Sequence, residues 1–455
     1  MEYSHYSFNI KKIILKNYKK FDNLSIELNE SITAITAPNA GGKSAVLQAL
    51  AVGCAHFVNS VEINPGTKMC IQEDDHRLIP QKGGGMAPVA EDASIECEGT
   101  IGNEHIEWKR ERSSKKGAKT RIANAKSLQN AARRLRSESQ KVDEGQTHVY
   151  PIAPLIAYYD TSRLNRESKL TEKRKAQKQD RFEGYLECLC SGSYIRIFKK
   201  WFRDLSYQIW QESESLRQRE LSPDDIEIRS IHMRQRDIVV QAVNEALEYV
   251  GWGNLKWDSI KNSLTLEHKK YGRLCIEQLS DGIRNILNLV TDIAHRAVKL
   301  NPLADENLLS EIQGLVIIDE IDMYLHPGWQ QRIVSVFRDI FPKVQFVISS
   351  HSPQVLSTLK KEQIRLLYED EDGNHHAEYP EESPYARSAA EALGVVFDVN
   401  PVPEVEESKE ILDLELLYRD GKTKDADKLR TSLQEKGVVI PQCDVDFWKI
   451  IAETK

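Results

Sequence analysis

Eight residues near the start of the chain, Ala37-Pro38-Asn39-Ala40-Gly41-Gly42-Lys43-Ser44, constrain its fold more than any others. The apolar segment Ile32 to Ile35 before them reads as a short buried strand. The segment Ala45-Val46-Leu47-Gln48-Ala49-Leu50-Ala51-Val52 after them reads as a helix. A buried strand that turns through glycines straight into a helix belongs to an α/β architecture. It is also the layout of a phosphate-binding loop. In that layout the backbone N–H groups of the turn residues from Asn39 to Lys43 face phosphate oxygens, helped by the positive end of the helix. Pro38, Asn39, Ala40, Gly41, Gly42, Lys43 and Ser44 are therefore the expected nucleotide-binding residues. Lys43 would reach the β- and γ-phosphates of ATP, and the Ser44 hydroxyl would ligate Mg²⁺. Ala37 stands where the usual pattern has its first glycine, so the octet alone also fits an ordinary strand-to-helix turn.

Three later segments favour the phosphate loop. Gly314-Leu315-Val316-Ile317-Ile318-Asp319-Glu320 is an apolar strand ending in two carboxylates. This is the form of a Walker B element, with Asp319 facing the magnesium and Glu320 polarising the attacking water. Val344 to Ser349 is another apolar run, followed by Ser350-His351-Ser352-Pro353. At the carboxyl end of a neighbouring strand, where ligands of α/β folds gather, His351 would touch the γ-phosphate. Gln278-Leu279-Ser280-Asp281-Gly282 is by itself a common helix start capped by Ser280. Together with the other motifs, in this order, it becomes the signature of an ATP-binding cassette. Ser280 and Gly282 would then close over a nucleotide held by a second copy. One set of motifs per chain predicts a dimer or higher oligomer with shared ATP sites.

Between these motifs the character of the chain changes repeatedly. Residues 8–15 and 23–28 read as a strand pair, and strands are expected near 93–100 and 105–109. Residues 61–90 read as loop, and Ala153 to Tyr159 as a buried strand. Basic side chains accumulate over 109–136 and again over 163–181. Such runs form either solvated faces and mobile loops or contacts with a phosphate backbone or acidic partner. Residues 182–250 are patterned as helices, and Cys188-Leu189-Cys190 reads as helix-borne packing. The seven cysteines form no zinc-type framework and fit a reducing compartment. The start of the chain reads as lacking a secretory leader, and there is no run of eighteen apolar residues. A cytoplasmic protein that does not enter a membrane is expected. The formal net charge of −7 argues against wholesale coating of nucleic acid.

Taken together, these motifs resemble the structural-maintenance-of-chromosomes and RecF-like branch of cassette ATPases. Asp319-Glu320-Ile321-Asp322-Met323-Tyr324-Leu325-His326-Pro327-Gly328-Trp329-Gln330 is similar to a run in the overcoming-lysogeny ATPases, as is Ser350 to Leu356. Leu155 to Tyr159 and Asn400-Pro401-Val402-Pro403-Glu404-Val405 are similar to the PtuA-type ATPase subunits of Septu and retron-associated antiphage systems. The resemblance implies an ATPase that controls a separate HNH nuclease of the PtuB type. In keeping with it, the hundred or so residues after His351 contain no Toprim-like or HNH-like acidic and histidine pattern. Two departures from the branch are Ala40 and Asp281, both in place of glycine. The expected architecture is an α/β cassette-ATPase head, a P-loop fold with a β-rich lobe, split by a helical insertion. Residues 1–108 and 253–378 would form the head, 109–252 the basic and helical insertion, and 379–455 a helical region for partner docking or self-assembly. A DNA-repair or chromosome-maintenance ATPase that binds DNA directly through 109–136 and 163–181 is the alternative.

Overall fold

A computed structural model describes residues 2–61, 69–81, 84–121, 123–164, 180–190, 195–217, 231–400 and 404–453. The chain divides into two compact units, Met1–Val396 and Phe397–Lys455.

The first unit is built on a six-stranded sheet. Its strands lie in the order Leu155–Tyr159, Gly314–Ile318, Val344–Ser349, Ile32–Thr36, Ile364–Glu369 and His375–Glu378. The first five are parallel and the last is antiparallel. Every residue of the first four is buried, as expected for parallel strands covered on both faces. Register brings Tyr159 level with Ile318, Ile318 with Ile348, and Ser349 with Ile35. The segments that follow these strands therefore emerge at one edge: 160–163, 319–320, 350–351 and 37–44.

A second, antiparallel sheet has the order Phe21–Glu27, Phe8–Tyr18, Ala93–Ile101 and Glu104–Arg112. The helix Lys43–Val61 lies between the two sheets and contacts both. Apolar side chains cover it on all sides, with Val46, Leu50, Phe57 and Val58 fully buried. Each such side chain contributes about 1.5–3 kcal/mol by leaving water. This helix is long and apolar enough to cross a membrane by length and composition, but here its apolar surface is used inside the fold. The helix Lys126–Asp143 packs beside it through Leu128, Ala131, Ala132 and Leu135. Residues of the basic region thus belong to the core of the head. The short hairpin Leu78–Pro80 with Met86–Pro88 occupies part of the stretch read as loop.

Helices Ile195–Arg217, Ile231–Leu247 and Asp281–Leu300 pack together, with the three-stranded sheet Trp252–Asp258, Ser263–His268 and Gly272–Cys275 alongside. The Cys188-Leu189-Cys190 segment is not helical. A short 3₁₀ helix, Arg181–Tyr185, is followed by turns that bury Cys188. Residues 379–396 belong to the first unit, where Ala386 N–H donates to the Ser357 carbonyl at 2.9 Å and the Arg365 guanidinium lies over the Tyr379 ring. The second unit holds helices Glu406–Arg419, Thr423–Glu435 and Gln442–Glu453 around Leu414, Tyr418, Leu433 and Val445.

Candidate active site

The loop 37–44 leaves its strand through a tight turn in which Gly41 N–H donates to the Pro38 carbonyl at 2.9 Å. A Cβ on Gly41 would lie 2.4 Å from that of Ala37, so the turn needs glycine there. Gly42 has φ +95°, and a Cβ would come within 2.4 Å of Phe21 Cζ. Ala40 takes a left-handed conformation, φ +61°, which costs about 1–2 kcal/mol for a residue bearing a Cβ. The substitution is tolerated, and the backbone keeps the shape that a glycine would take. Pro38, Asn39, Ala40 and Ser44 are exposed, whereas Lys43 is buried.

The Lys43 ammonium donates to Nε2 of His351, joining the phosphate loop to the end of the Val344–Ser349 strand. Burial lowers the Lys43 pKa, opposed by the nearby carboxylates of Asp319, Glu320 and Asp322. Burial and the Lys43 charge lower the His351 pKa, which keeps the imidazole neutral and able to accept. Asp319 is 2% exposed, and its Oδ1 accepts from the Ser349 hydroxyl at 2.5 Å. The same Ser349 oxygen accepts from the Glu320 N–H at 2.7 Å. Glu320 itself is left-handed, φ +47°. Ser349 thus clasps the turn between the two acids.

Ser280 starts the helix Asp281–Leu300 in the N-cap position, but its hydroxyl makes no capping bond and is exposed. Gly282 lies against the Walker B loop, where a Cβ would sit 2.8 Å from the Tyr324 carbonyl oxygen. Lower down, the helix is fixed by a buried cluster. Asp292 accepts from Tyr159 and from Arg296 Nε, each at 2.7 Å. The Leu-His-Pro-Gly-Trp-Gln run also meets the switch, because the Ser352 hydroxyl is 2.8 Å from Gln330 Oε1. Lys43, Asp319, Glu320 and His351 therefore share one place in the fold, and Ser280 with Gly282 begins a helix packed on the loop after them.

Sequence reasoning missed Ser349 and Arg163. Ser349 is hidden in an apolar run, and Arg163 was assigned to a basic stretch offered for phosphate contact. Instead Arg163 is 5% exposed, and Nη1 and Nη2 donate to the carbonyls of Asp319 and Glu320 at 2.6 and 2.8 Å. Arg181 is likewise turned inward, donating to the Pro151 carbonyl at 2.7 Å and stacking over Tyr150. Residues 165–179 of that stretch lie outside the described residues. About half of the basic side chains of the 109–136 stretch are matched or buried within the chain, while Lys115, Lys116, Lys119, Lys126 and Arg133 are exposed. Arg110 and Arg112 are buried on the sheet, Lys109 pairs with Glu96, and Arg121 with Glu111. Arg134 pairs with Glu104 through both nitrogens, and Arg136 with Asp180. A cation already held by a carboxylate, as are Lys109, Arg112 (by Glu73), Arg121, Arg134 and Arg136, has less to offer a nucleic-acid phosphate, and Arg110 is turned inward, so these six do not form the open basic track expected of that stretch.

One exposed hydroxyl, Ser44, and one buried carboxylate, Asp319, form a donor set of the kind Mg²⁺ shares with phosphate oxygens and water. Among the described residues no cluster of three or more His, Cys, Asp or Glu is placed to hold a metal by itself.

Fold and site together define an ATPase of the cassette type. The chain belongs to the family described as "AAA domain, putative AbiEii toxin, Type IV TA system", whose model matches residues 125–357, just over half of it. It is 28% identical over 447 residues to "Retron Vc95 probable ATPase" of Vibrio cholerae serotype O1 biovar El Tor, covering 89% of this chain and 82% of that protein. A shorter match, 37% identical over 97 residues, is to "Septu protein PtuA" of Bacillus mycoides (strain KBAB4), covering 21% of this chain and 13% of that protein. Among solved structures, "Crystal structure of the SmcHead bound to the C-winged helix domain of ScpA" aligns with 82% of this chain and 97% of that one, at 14% identity and a TM-score of 0.46.

Proposed function

We propose that the chain is the ATP-binding and ATP-hydrolysing subunit of an antiphage defence complex, in which it controls a separate HNH-type nuclease of the PtuB kind. The observation that carries the ATPase part is the meeting of Lys43, Asp319, Glu320 and His351 at one sheet edge, within reach of the glycine turn. The similarity to retron and Septu proteins supports the defence setting.

In this reading the backbone of Pro38 to Lys43 cradles the phosphates of ATP, and Lys43 leaves His351 for the β- and γ-phosphate oxygens. Ser44 and Asp319 would hold Mg²⁺, which supplies charge neutralisation for the transferred phosphoryl group. Glu320 orients the attacking water and takes its proton, while neutral His351 donates or accepts at the γ-phosphate edge. Ser280 and Gly282 complete the site of a second copy. The exposed Ser280 hydroxyl, unused for capping, suits that task. The Phe397–Lys455 helices serve docking or assembly.

Glu320→Gln should retain ATP binding, lose most phosphate release, and accumulate an ATP-dependent dimer in size-exclusion chromatography. Lys43→Ala should weaken ATP binding and abolish protection against phage. Wild-type turnover in Glu320→Gln would remove the general base from this scheme. Failure of the chain to co-purify with the product of a neighbouring HNH nuclease gene would remove the partner.

A further inference from the structure

Arg163 is a buried cation whose hydrogen bonds run to neutral groups. It donates to the carbonyls of Asp160 at 3.0 Å, Asp319 at 2.6 Å and Glu320 at 2.8 Å, and through Nε to Asn285 Oδ1 at 3.1 Å. Burying a guanidinium among carbonyls is expensive, and the planar fork suits arginine alone, because lysine cannot direct donors along three fixed lines. The carboxylates of Asp319, Asp160, Glu320 and Asp322 offset part of the burial, which lowers its pKa to about 10 and leaves it charged. Asn285 lies in the second turn of the helix that Ser280 begins and is fully buried. Its amide also donates to the Met323 carbonyl at 2.8 Å, three residues beyond Glu320. The Glu320 peptide is therefore gripped at its N–H by Ser349 and at its carbonyl by Arg163, in a left-handed conformation it would not keep unaided.

These contacts make one connected path. Ser280 and Gly282 start the helix, Asn285 on that helix holds Arg163 and the Met323 carbonyl, and Arg163 holds the carbonyls of both Walker B acids. A shift of the helix start cannot leave Arg163 in place without breaking the Asn285 bond. The hydrogen bonds of Arg163 and Asn285 go to the acid turn and its neighbours and not to residues 37–44, so loss of either should act on the seat of Glu320 more than on the phosphate cradle.

We propose that Arg163, joined to Asn285, is a positioning residue that couples the signature helix to the seat of Glu320, so that engagement of Ser280 by a second copy's nucleotide sets the water-activating carboxylate. This rests on the hydrolysis scheme above.

The test uses the full-length chain and ATP with Mg²⁺, measuring phosphate release, ATP affinity and thermal unfolding. Arg163→Lys, which keeps the charge and loses the fork, should lower kcat by about tenfold or more while KM for ATP stays within about threefold. Asn285→Ala should lower kcat by a similar factor. The double variant should fall no further than about threefold below the weaker single, because both remove one path. A residue that merely holds the fold would lower stability and affinity together, and the losses would multiply. Wild-type kcat in Arg163→Lys, or multiplying losses in the double variant, overturns the proposal. If Arg163→Lys shows no folded transition, Asn285→Ala decides alone, and an unchanged kcat there overturns it. Glu320→Gln, measured alongside, separates the two readings. If it is inactive while Arg163→Lys is normal, only the coupling role falls; if it turns over like wild type, the hydrolysis scheme and the coupling fall together.

Discussion

Replacing Ser349 by alanine removes a single oxygen, yet that oxygen joins the two Walker B residues. It donates to Asp319 Oδ1 at 2.5 Å and accepts from the Glu320 N–H at 2.7 Å. A hydrogen bond to a charged group is worth about 1.5–3 kcal/mol, and a buried donor left unpaired costs about 1–3 kcal/mol. The left-handed Glu320, φ +47°, adds a tendency to relax of about 1–2 kcal/mol once its N–H is released. These effects overlap, and about 3 kcal/mol is a fair total. Ser349 is fully buried, and its strand pairing with Ile35 and its carbonyl's bond from the Ile321 N–H do not involve the side chain, so most of the loss falls on the acid turn. At about 1.4 kcal/mol per factor of ten, Ser349→Ala should lower kcat roughly a hundredfold. ATP affinity, which depends on the 37–44 turn, should change little. Phosphate release under saturating ATP measures the first quantity, and titration with a fluorescent ATP analogue the second. A kcat within about threefold of wild type would refute the claim that Ser349 seats Glu320.

Three further outcomes follow from the geometry. Gly42→Ala forces a Cβ to 2.4 Å from Phe21 Cζ at φ +95°, and ATP affinity in the same titration should fall at least about tenfold. Unaltered affinity would contradict the phosphate-loop assignment of that turn. Gly314→Ala places a Cβ 1.9 Å from the Leu155 carbonyl oxygen of the neighbouring strand, and should destabilise the first unit by about 3 kcal/mol or more in denaturant unfolding. His295, packed against Trp201, is held neutral by burial and then by Arg296 and Lys299, with its pKa lowered to about 3; His56 is lowered to about 4 by burial, Arg110 and Arg133. Both have unfolded values near 6.5, so their contribution is full above that pH and is lost as pH falls toward 4. Unfolding free energy should drop by on the order of 5 kcal/mol between pH 7 and pH 4, and His295→Gln should flatten that slope. A slope unchanged in His295→Gln would refute this source of acid sensitivity.

What the sequence shows and what it hides divide along contact distance. Each motif of the site is contiguous, because a phosphate cradle needs successive backbone N–H groups and a Walker B acid must follow its buried strand. The strand Gly314–Ile318 and the turn before Lys43 could therefore be read from adjacent residues. So could the hairpin around Asp370 to Gly373, where a polar turn separates Ile364–Glu369 from His375–Glu378. Hydrophobic period served the helix Lys126–Asp143 less well: its small buried stripe of Leu128, Ala131, Ala132 and Leu135 was outvoted by arginines on the other face. The arginines were misleading for a physical reason. A guanidinium in a sequence carries no mark of whether its partner is solvent, a carboxylate far along the chain, or a carbonyl. Arg163 finds its acceptors 122 to 157 residues away, with one nearby at Asp160. Its position is intelligible only once the Leu155–Tyr159 strand is known to lie beside Gly314–Ile318, since that pairing delivers residue 163 and residues 319–320 to the same end of adjacent strands. Parallel pairing of strands so far apart is what a periodicity argument lacks, and it is where this fold places the residues that hold Glu320.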